Sequence, residues 1–179
     1  MERKNFPILL ALVWLLIKSG LKFSDFYDQS VIIGIGLNLL ILPFVVLFAI
    51  KPFFNERGHS GIFLAKQAMK SGGVYVVCVA LGIFIYYQFI DPEYRDYVEK
   101  TRTKAISDEI EKVGGIEEFH KAYPMSEGKS EEELIKEELA VYENLTPFKL
   151  TTFSLLCLMI LAIFYSFLMA ILFKVLNRH

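Results

Sequence analysis

VIIGIGLNLLILPFVVLFAI, residues 31–50, contains no charged side chain, and its reading decides the fold. About 20 consecutive apolar residues is the length at which a helix crosses the hydrocarbon of a bilayer. Gly34 and Gly36 allow a neighbouring helix to approach the backbone closely. Pro43 lacks an amide proton and crowds the carbonyl of Leu39, which predicts a kink near mid-span. Asn38 is the one strongly polar side chain in the run. It reads first as an interhelical hydrogen bond and second as a ligand contact.

Before this run lies a shorter one, residues 6–20, preceded by Arg3 and Lys4. The pattern has the outline of a signal peptide, but Lys18-Ser19-Gly20 is a poor cleavage site, so it reads as a retained anchor. The spacing predicts that Lys18 and Lys22 snorkel outward, with Phe23, Phe26 and Tyr27 forming an interfacial belt. A half-inserted helix is the competing reading.

After the run, residues 51–70 form a basic connection. Pro52-Phe53-Phe54 suits the headgroup level, and Ser60 is placed to cap an interfacial helix whose Lys66 and Lys70 reach anionic headgroups. A third span follows at residues 71–90, with Cys78 and Gly82 at small-residue spacing and Tyr86, Tyr87 and Gln88 at its outer end. The last span, residues 150–173, repeats a small residue every fourth position at Ala162, Ser166 and Ala170. These residues, with Gly34 and Gly36, are the candidate faces for helix association or a membrane partner.

Residues 91–147 differ in kind, with 16 acids against 8 bases. Asp91-Pro92-Glu93 starts a helix and Gly114-Gly115 stops it. Residues 116–123 add a short helical turn. Ser130 with Glu133 forms a capping box that opens a second helix, with Leu134, Ile135, Leu139 and Tyr142 as its apolar stripe. The expected result is a helical hairpin, with Tyr94, Tyr97 and Tyr142 as candidate anchors for a partner. The run Glu131-Glu132-Glu133 reads as a solvated helix face rather than a cation site.

Charge orients the chain. Arg3, Lys4, Lys51, Arg57, Lys66, Lys70, Lys174 and Arg178 fall on one side of a four-span arrangement, opposed there only by Glu2 and Glu56, while the acidic segment falls on the other. Positive loops stay cytoplasmic, so both termini are expected inside and residues 91–147 outside. The expected fold is an all-α integral membrane protein of four transmembrane helices. Residues 1–90 and 148–179 form the bundle, and residues 91–147 form the acidic extracytoplasmic insertion.

Residues that carry chemistry are sparse in this chain. The chain is 54% hydrophobic with a net charge of −1, which gives no footprint for nucleic acid. Cys78 and Cys157 lie in apolar runs at different expected depths, so they read as small residues in helix contacts, without a disulfide. His59, His120 and His179 lack ligand spacing, so neither metal nor cofactor is expected. No nucleotide or nucleophile motif occurs, and Asn144-Leu145-Thr146 is an acceptor sequon that Pro147 follows at once. Spans two to four hold no ionisable Asp, Glu, Lys, Arg or His, which speaks against proton-coupled transport or intramembrane proteolysis.

Three stretches carry a resemblance. They are GIFLAKQAMKSG (61–72), FIDPEY (89–94) closing a tyrosine-rich span, and ENLTPFKLTTFSLLCLMILAIFYSFLMAILFKVL (143–176). In this order they resemble an uncharacterised four-helix membrane family, a domain-of-unknown-function family common in Bacteroidota. The first span is shorter and richer in lysine than the family pattern. The resemblance implies a bacterial inner-membrane protein with a periplasmic helical insertion, and an association with a polyprenyl-phosphate glycosyltransferase.

Three functions are consistent with these readings. The first is a non-catalytic accessory or assembly subunit, bound to membrane lipids and to a membrane-protein partner or a second copy of itself. The second is a handler of a lipid-linked substrate, with a lateral opening lined by Asn38 and Gln88 and with Lys66 and Lys70 at the headgroup. The third is a periplasm-facing sensor or scaffold acting through the hairpin tyrosines.

Overall fold

The computed structural model describes residues 5–55, 59–143 and 146–176, all of whose regular elements are helical. Three helical stretches, Tyr27–Phe53, Gly61–Ile90 and Pro147–Val175, are long and apolar enough to cross a membrane, and Phe6–Leu21 is apolar but shorter. The chain is therefore of the multi-pass membrane type. It divides into two compact units, Asp91–Lys149 and the remainder.

The first unit contains α1 (Phe6–Leu21), α2 (Ser30–Ile50), α3 (Gly61–Ile85) and α7 (Pro147–Leu176). With 16 residues, α1 rises about 24 Å, against the roughly 30 Å of hydrocarbon in a typical bilayer. It runs antiparallel to α2: Phe6 stacks on Phe48 at one end, with ring centroids 4.1 Å apart, and Lys18 meets Ser30 at the other. Helix α2 continues through Pro43 without interruption. Its buried residues Ser30, Gly34, Asn38 and Leu42 recur every fourth position, so one narrow stripe faces the other helices.

Helix α3 is the central element, buried along Leu64, Ala68, Gly72, Tyr75, Val79 and Ile83. Ser60 caps it, its hydroxyl accepting from the Phe63 amide at 3.1 Å. The interfacial helix leads into the third span without interruption, as a single helix from Gly61 to Ile85. Lys66 and Lys70 are exposed on one face of it, while Leu64, Ala65 and Ala68 are buried on the other. The span ends in a π turn, Tyr86–Ile90. Helix α7 buries Leu158, Ala162, Ser166, Ala170 and Phe173. Among the described residues α1, α2 and α3 approach one another closely, whereas α7 stands further off.

The second unit pairs α4 (Tyr94–Val113) with α6 (Glu131–Glu143), with the short α5 (Ile116–Ala122) between them in sequence. Helix α4 begins at Tyr94, after Asp91-Pro92-Glu93 rather than within it, and the Glu93 side chain does not cap it. It ends where expected. Gly114 and Gly115 take φ of 100° and 107°, and the Gly115 amide reaches back to the Ile110 carbonyl at 2.9 Å. The capping box also forms: the Ser130 amide donates to Glu133 Oε2 at 2.8 Å, and the Glu133 amide donates to Ser130 Oγ at 3.3 Å. Thr146 caps α7, accepting from the Lys149 amide. Glu2, Arg3, Lys4, Glu56, Arg57, Asn144, Arg178 and His179, which bear on the expected orientation and motifs, lie outside the described residues.

Candidate functional site

The buried face of α1 is Pro7, Ala11, Trp14 and Lys18, at intervals of four, three and four residues. That spacing carries Lys18 inward with its apolar neighbours. The snorkelling expected for this side chain does not occur: Lys18 is 3% exposed. Its ammonium donates to Ser30 Oγ at 3.0 Å and lies 5.0 Å from the centre of the Tyr86 ring and 5.8 Å from that of Tyr87. A cation over an aromatic face is attracted by the ring quadrupole, more strongly where water is excluded. The tyrosines come to hand because of the π turn, which begins at Tyr86 and changes the direction of successive side chains. Lys22 behaves differently, donating to the Ile90 carbonyl at the end of the same turn.

Beside Lys18 the helices enclose a cavity of about 430 Å³. Its walls come from all four helices of the unit: Trp14 and Lys18 of α1, Gly34 and Asn38 of α2, Ile83 of α3, and Phe153, Ser154 and Cys157 of α7. The volume falls in the range of about 300–1,000 Å³ usual for small-ligand sites. The cavity exists because α7 stands away from α1 and α2 at this level, while further along it closes on α3. There a Cβ placed on Gly72 would lie 3.4 Å from the Ala162 Cβ. Ile35, Leu39 and Phe153 line the cavity and are themselves exposed, so its rim opens between α2 and α7.

The polar groups on the wall are held by their own chain. The Trp14 indole N–H donates to the Gly34 carbonyl at 3.0 Å, and the Tyr75 hydroxyl donates to Asn38 Oδ1 at 2.7 Å. Asn38 joins α2 to α3 through this bond and also lines the cavity. Gln88 is absent from the lining, and Lys66 and Lys70 are exposed elsewhere on α3. Lys18 is the cation at the cavity.

The small-residue faces turn inward. A Cβ on Gly34 would meet Lys18 and Trp14 at 3.7 and 3.8 Å, and one on Gly82 would meet Trp14 at 3.5 Å. Ala162, Ser166 and Ala170 are buried within the chain, with the Ser166 hydroxyl returned to the Ala162 carbonyl at 2.6 Å. Cys78 is half-buried against the core, and Cys157 is exposed at the cavity. Only Gly36 of the seven candidates faces open space. Small residues do sit at helix contacts here, but those contacts are internal to the chain.

In the second unit Tyr94, Tyr97 and Tyr142 are half-buried rather than presented to solvent. The Arg102 guanidinium lies 5.6 Å from the centre of the Tyr142 ring. Burial pushes the Tyr94 hydroxyl above the usual tyrosine value, with the Asp91 carboxylate adding to the effect. Tyr123 is exposed and donates to Glu109 Oε1 at 2.6 Å; that bond raises its pKa. Among the described residues no three His, Cys, Asp or Glu side chains gather as a metal site.

With this geometry in view, the comparison with protein families is decisive over nearly the whole length. The family described as Protein of unknown function (DUF4199) matches residues 6–175. The chain belongs to the DUF4199 family. No curated protein and no solved structure matches this DUF4199 chain.

The residues that sequence reasoning missed are Lys18, Trp14, Ser30, Tyr75 and the Tyr86–Tyr87 pair acting together. A usable signal was present. Lys18 continues the stripe Ala11–Trp14–Lys18, and Ser30 continues Ser30–Gly34–Asn38, so two inward stripes each carry a polar group near the same end of an antiparallel pair.

Proposed function

We propose that this DUF4199 chain is a non-catalytic handler of a lipid-type molecule, held in the cavity between α1, α2, α3 and α7. One observation carries the reading: an apolar cavity of about 430 Å³, open sideways between two long apolar helices, with a buried lysine on its wall. A site that faces sideways from such helices is reached from the bilayer, where the available ligands are amphiphiles. The rest of the proposal follows from charge and length. Four crossings, with α1 as the short one, keep the described basic residues Lys51, Lys66, Lys70 and Lys174 on the cytoplasmic side of a bacterial inner membrane. The acidic unit Asp91–Lys149 then lies in the periplasm as a helical hairpin. In this arrangement the cavity occupies the outer leaflet, because Lys18 follows most of α1 and Ser30 begins α2. An accessory role beside an enzyme that uses a lipid-linked substrate suits such a protein. A partner docked on the stripe of Ala162, Ser166 and Ala170 suits it less, since the chain's own helices cover that stripe.

Native mass spectrometry from mild detergent tests the reading. The wild-type chain is expected to carry one bound lipid-like molecule, and Ser154→Phe, which fills the cavity from α7, is expected to lose it. Equal retention by the folded variant, or a wild-type chain that carries no lipid and takes none up from mixed micelles, refutes the proposal.

A further inference from the structure

Tyr75 holds one half of the Asn38 amide and leaves the other. Its fully buried hydroxyl donates to Asn38 Oδ1, which turns the amide nitrogen away from it. Exchanging the two amide atoms would strand the hydroxyl proton instead, so this orientation is the one that satisfies Tyr75. The two N–H groups that remain have no hydrogen-bond partner among the described residues. Every fully enclosed side-chain nitrogen or oxygen among those residues does have a partner, so the Asn38 nitrogen is not enclosed. Asn38 is 5% exposed and lines the cavity, and the cavity is where its nitrogen opens. A donor buried in this way is unfavourable until an acceptor reaches it. Depth limits which acceptor that is. Asn38 stands eight residues after Ser30, the first residue of α2, so it lies about 12 Å along a helix of 21 residues. That is close to midway along an apolar span, where an ionised group is costly and a neutral oxygen much less so. Ile35, Leu39 and Leu158 on the same wall are apolar and suit a hydrocarbon chain, but a bare chain would leave the Asn38 N–H groups unmet.

Resting on the reading above, we infer that the ligand is an uncharged lipid with a carbonyl oxygen, that of an acyl ester or a quinone, seated so that the Asn38 amide donates to that oxygen. The chain's one tryptophan supplies the assay. Trp14 lines the cavity and is 3% exposed, so a bromine atom in the cavity quenches its fluorescence by contact. Full-length protein in mild detergent is titrated with the methyl ester of dibrominated stearic acid and with dibrominated octadecane, compared at equal mole fraction in the detergent. The ester is expected to quench saturably at a mole fraction about fivefold lower than the alkane, the ratio given by one net hydrogen bond. The double variant Asn38→Leu with Tyr75→Phe removes both partners of the interhelical bond and strands neither. It is expected to abolish the ratio while alkane quenching persists. Equal quenching of the wild-type chain by ester and alkane overturns the carbonyl inference and leaves chain binding standing. No saturable quenching by either refutes chain binding itself. The wild-type comparison stands even if the double variant fails to fold. Native mass spectrometry after incubation with dioleoylglycerol, a prenylated benzoquinone and squalene separates the two carbonyl sources. Retention of the glyceride or the quinone over squalene is expected, and equal retention of squalene, which has no oxygen, overturns the inference.

Discussion

The membrane-type unit and the acidic unit use polar side chains in opposite ways. In the first, several are turned inward among the apolar helices. Lys18, Ser30, Asn38, Tyr75 and Ser166 are all buried, and each makes a hydrogen bond within the chain. In the second they are many and most are turned outward, and they make short-range bonds such as Lys121–Glu118 and Ser130–Glu133. The reason is the solvent each surface is suited to. Where hydrocarbon surrounds a helix, a polar group lacking a partner costs several kcal/mol, so it is kept only where it is satisfied. Where water surrounds it, the same group is nearly neutral in cost and contributes little. A polar residue therefore says more about function in the first unit than in the second.

This contrast can be broken by measurement, and the largest effect is expected at the closest approach of α7. Gly72→Leu places a side chain against Ala162 and Val46, both 3.4 Å from the position of its Cβ. Overfilling of this kind costs about 1–3 kcal/mol, read as a lower unfolding midpoint of the chain in detergent. Tyr75→Phe comes next. It leaves the buried Asn38 Oδ1 without its donor and should cost about 1–2 kcal/mol. A neutral outcome there would mean that water or lipid reaches Asn38 through the cavity.

The acidic unit should respond less. Ser130→Ala removes the cap of α6 and should cost about 1 kcal/mol, seen as faster hydrogen exchange of the first-turn amides of α6. The same box sets a pH dependence. The Glu133 carboxylate accepts from the Ser130 amide and hydroxyl, which lowers its pKa below the usual value. Its bond is fully present above the unfolded carboxylate pKa and is lost as pH falls through the lower folded value. The exchange protection of α6 should follow that order, and Glu133→Gln should flatten it. The smallest effect is expected at Lys121→Ala. Its ion pair with Glu118 is 69% and 53% exposed, so the unfolding midpoint should stay where it is. A clear drop there would show that the outward polar groups are more strongly coupled than water allows.

Much of the helix pattern was legible because it rests on strong local rules. Uninterrupted apolar runs mark α2 and α7, and Ser60, Gly114-Gly115 and Ser130–Glu133 mark ends through backbone bonds that depend on a few adjacent residues. The site was less legible because it depends on which neighbour each face meets. A lysine near a helix end is ambiguous in sequence. It snorkels if its azimuth faces lipid and is buried if its azimuth follows Ala11 and Trp14, and only the assembled helices decide between the two. The small-residue stripes posed the same problem, since their periodicity shows that something packs closely without showing that the something is α3 or α1. Lys66 and Lys70 lie on the same helix as the third span. Two exposed charges on one face do not end a helix whose other face is buried, so α3 is longer than its apolar core.

The π turn at Tyr86–Ile90 has an evolutionary consequence. Such a turn amounts to one residue more than an α-helix of the same rise requires, and it can arise or disappear through a single-codon insertion or deletion. Loss of one residue here would rotate either Tyr86 or Tyr87 away from Lys18. Relatives with a shortened third span should accordingly lack the lysine on the first helix as well, and that pairing can be read from gene sequences alone.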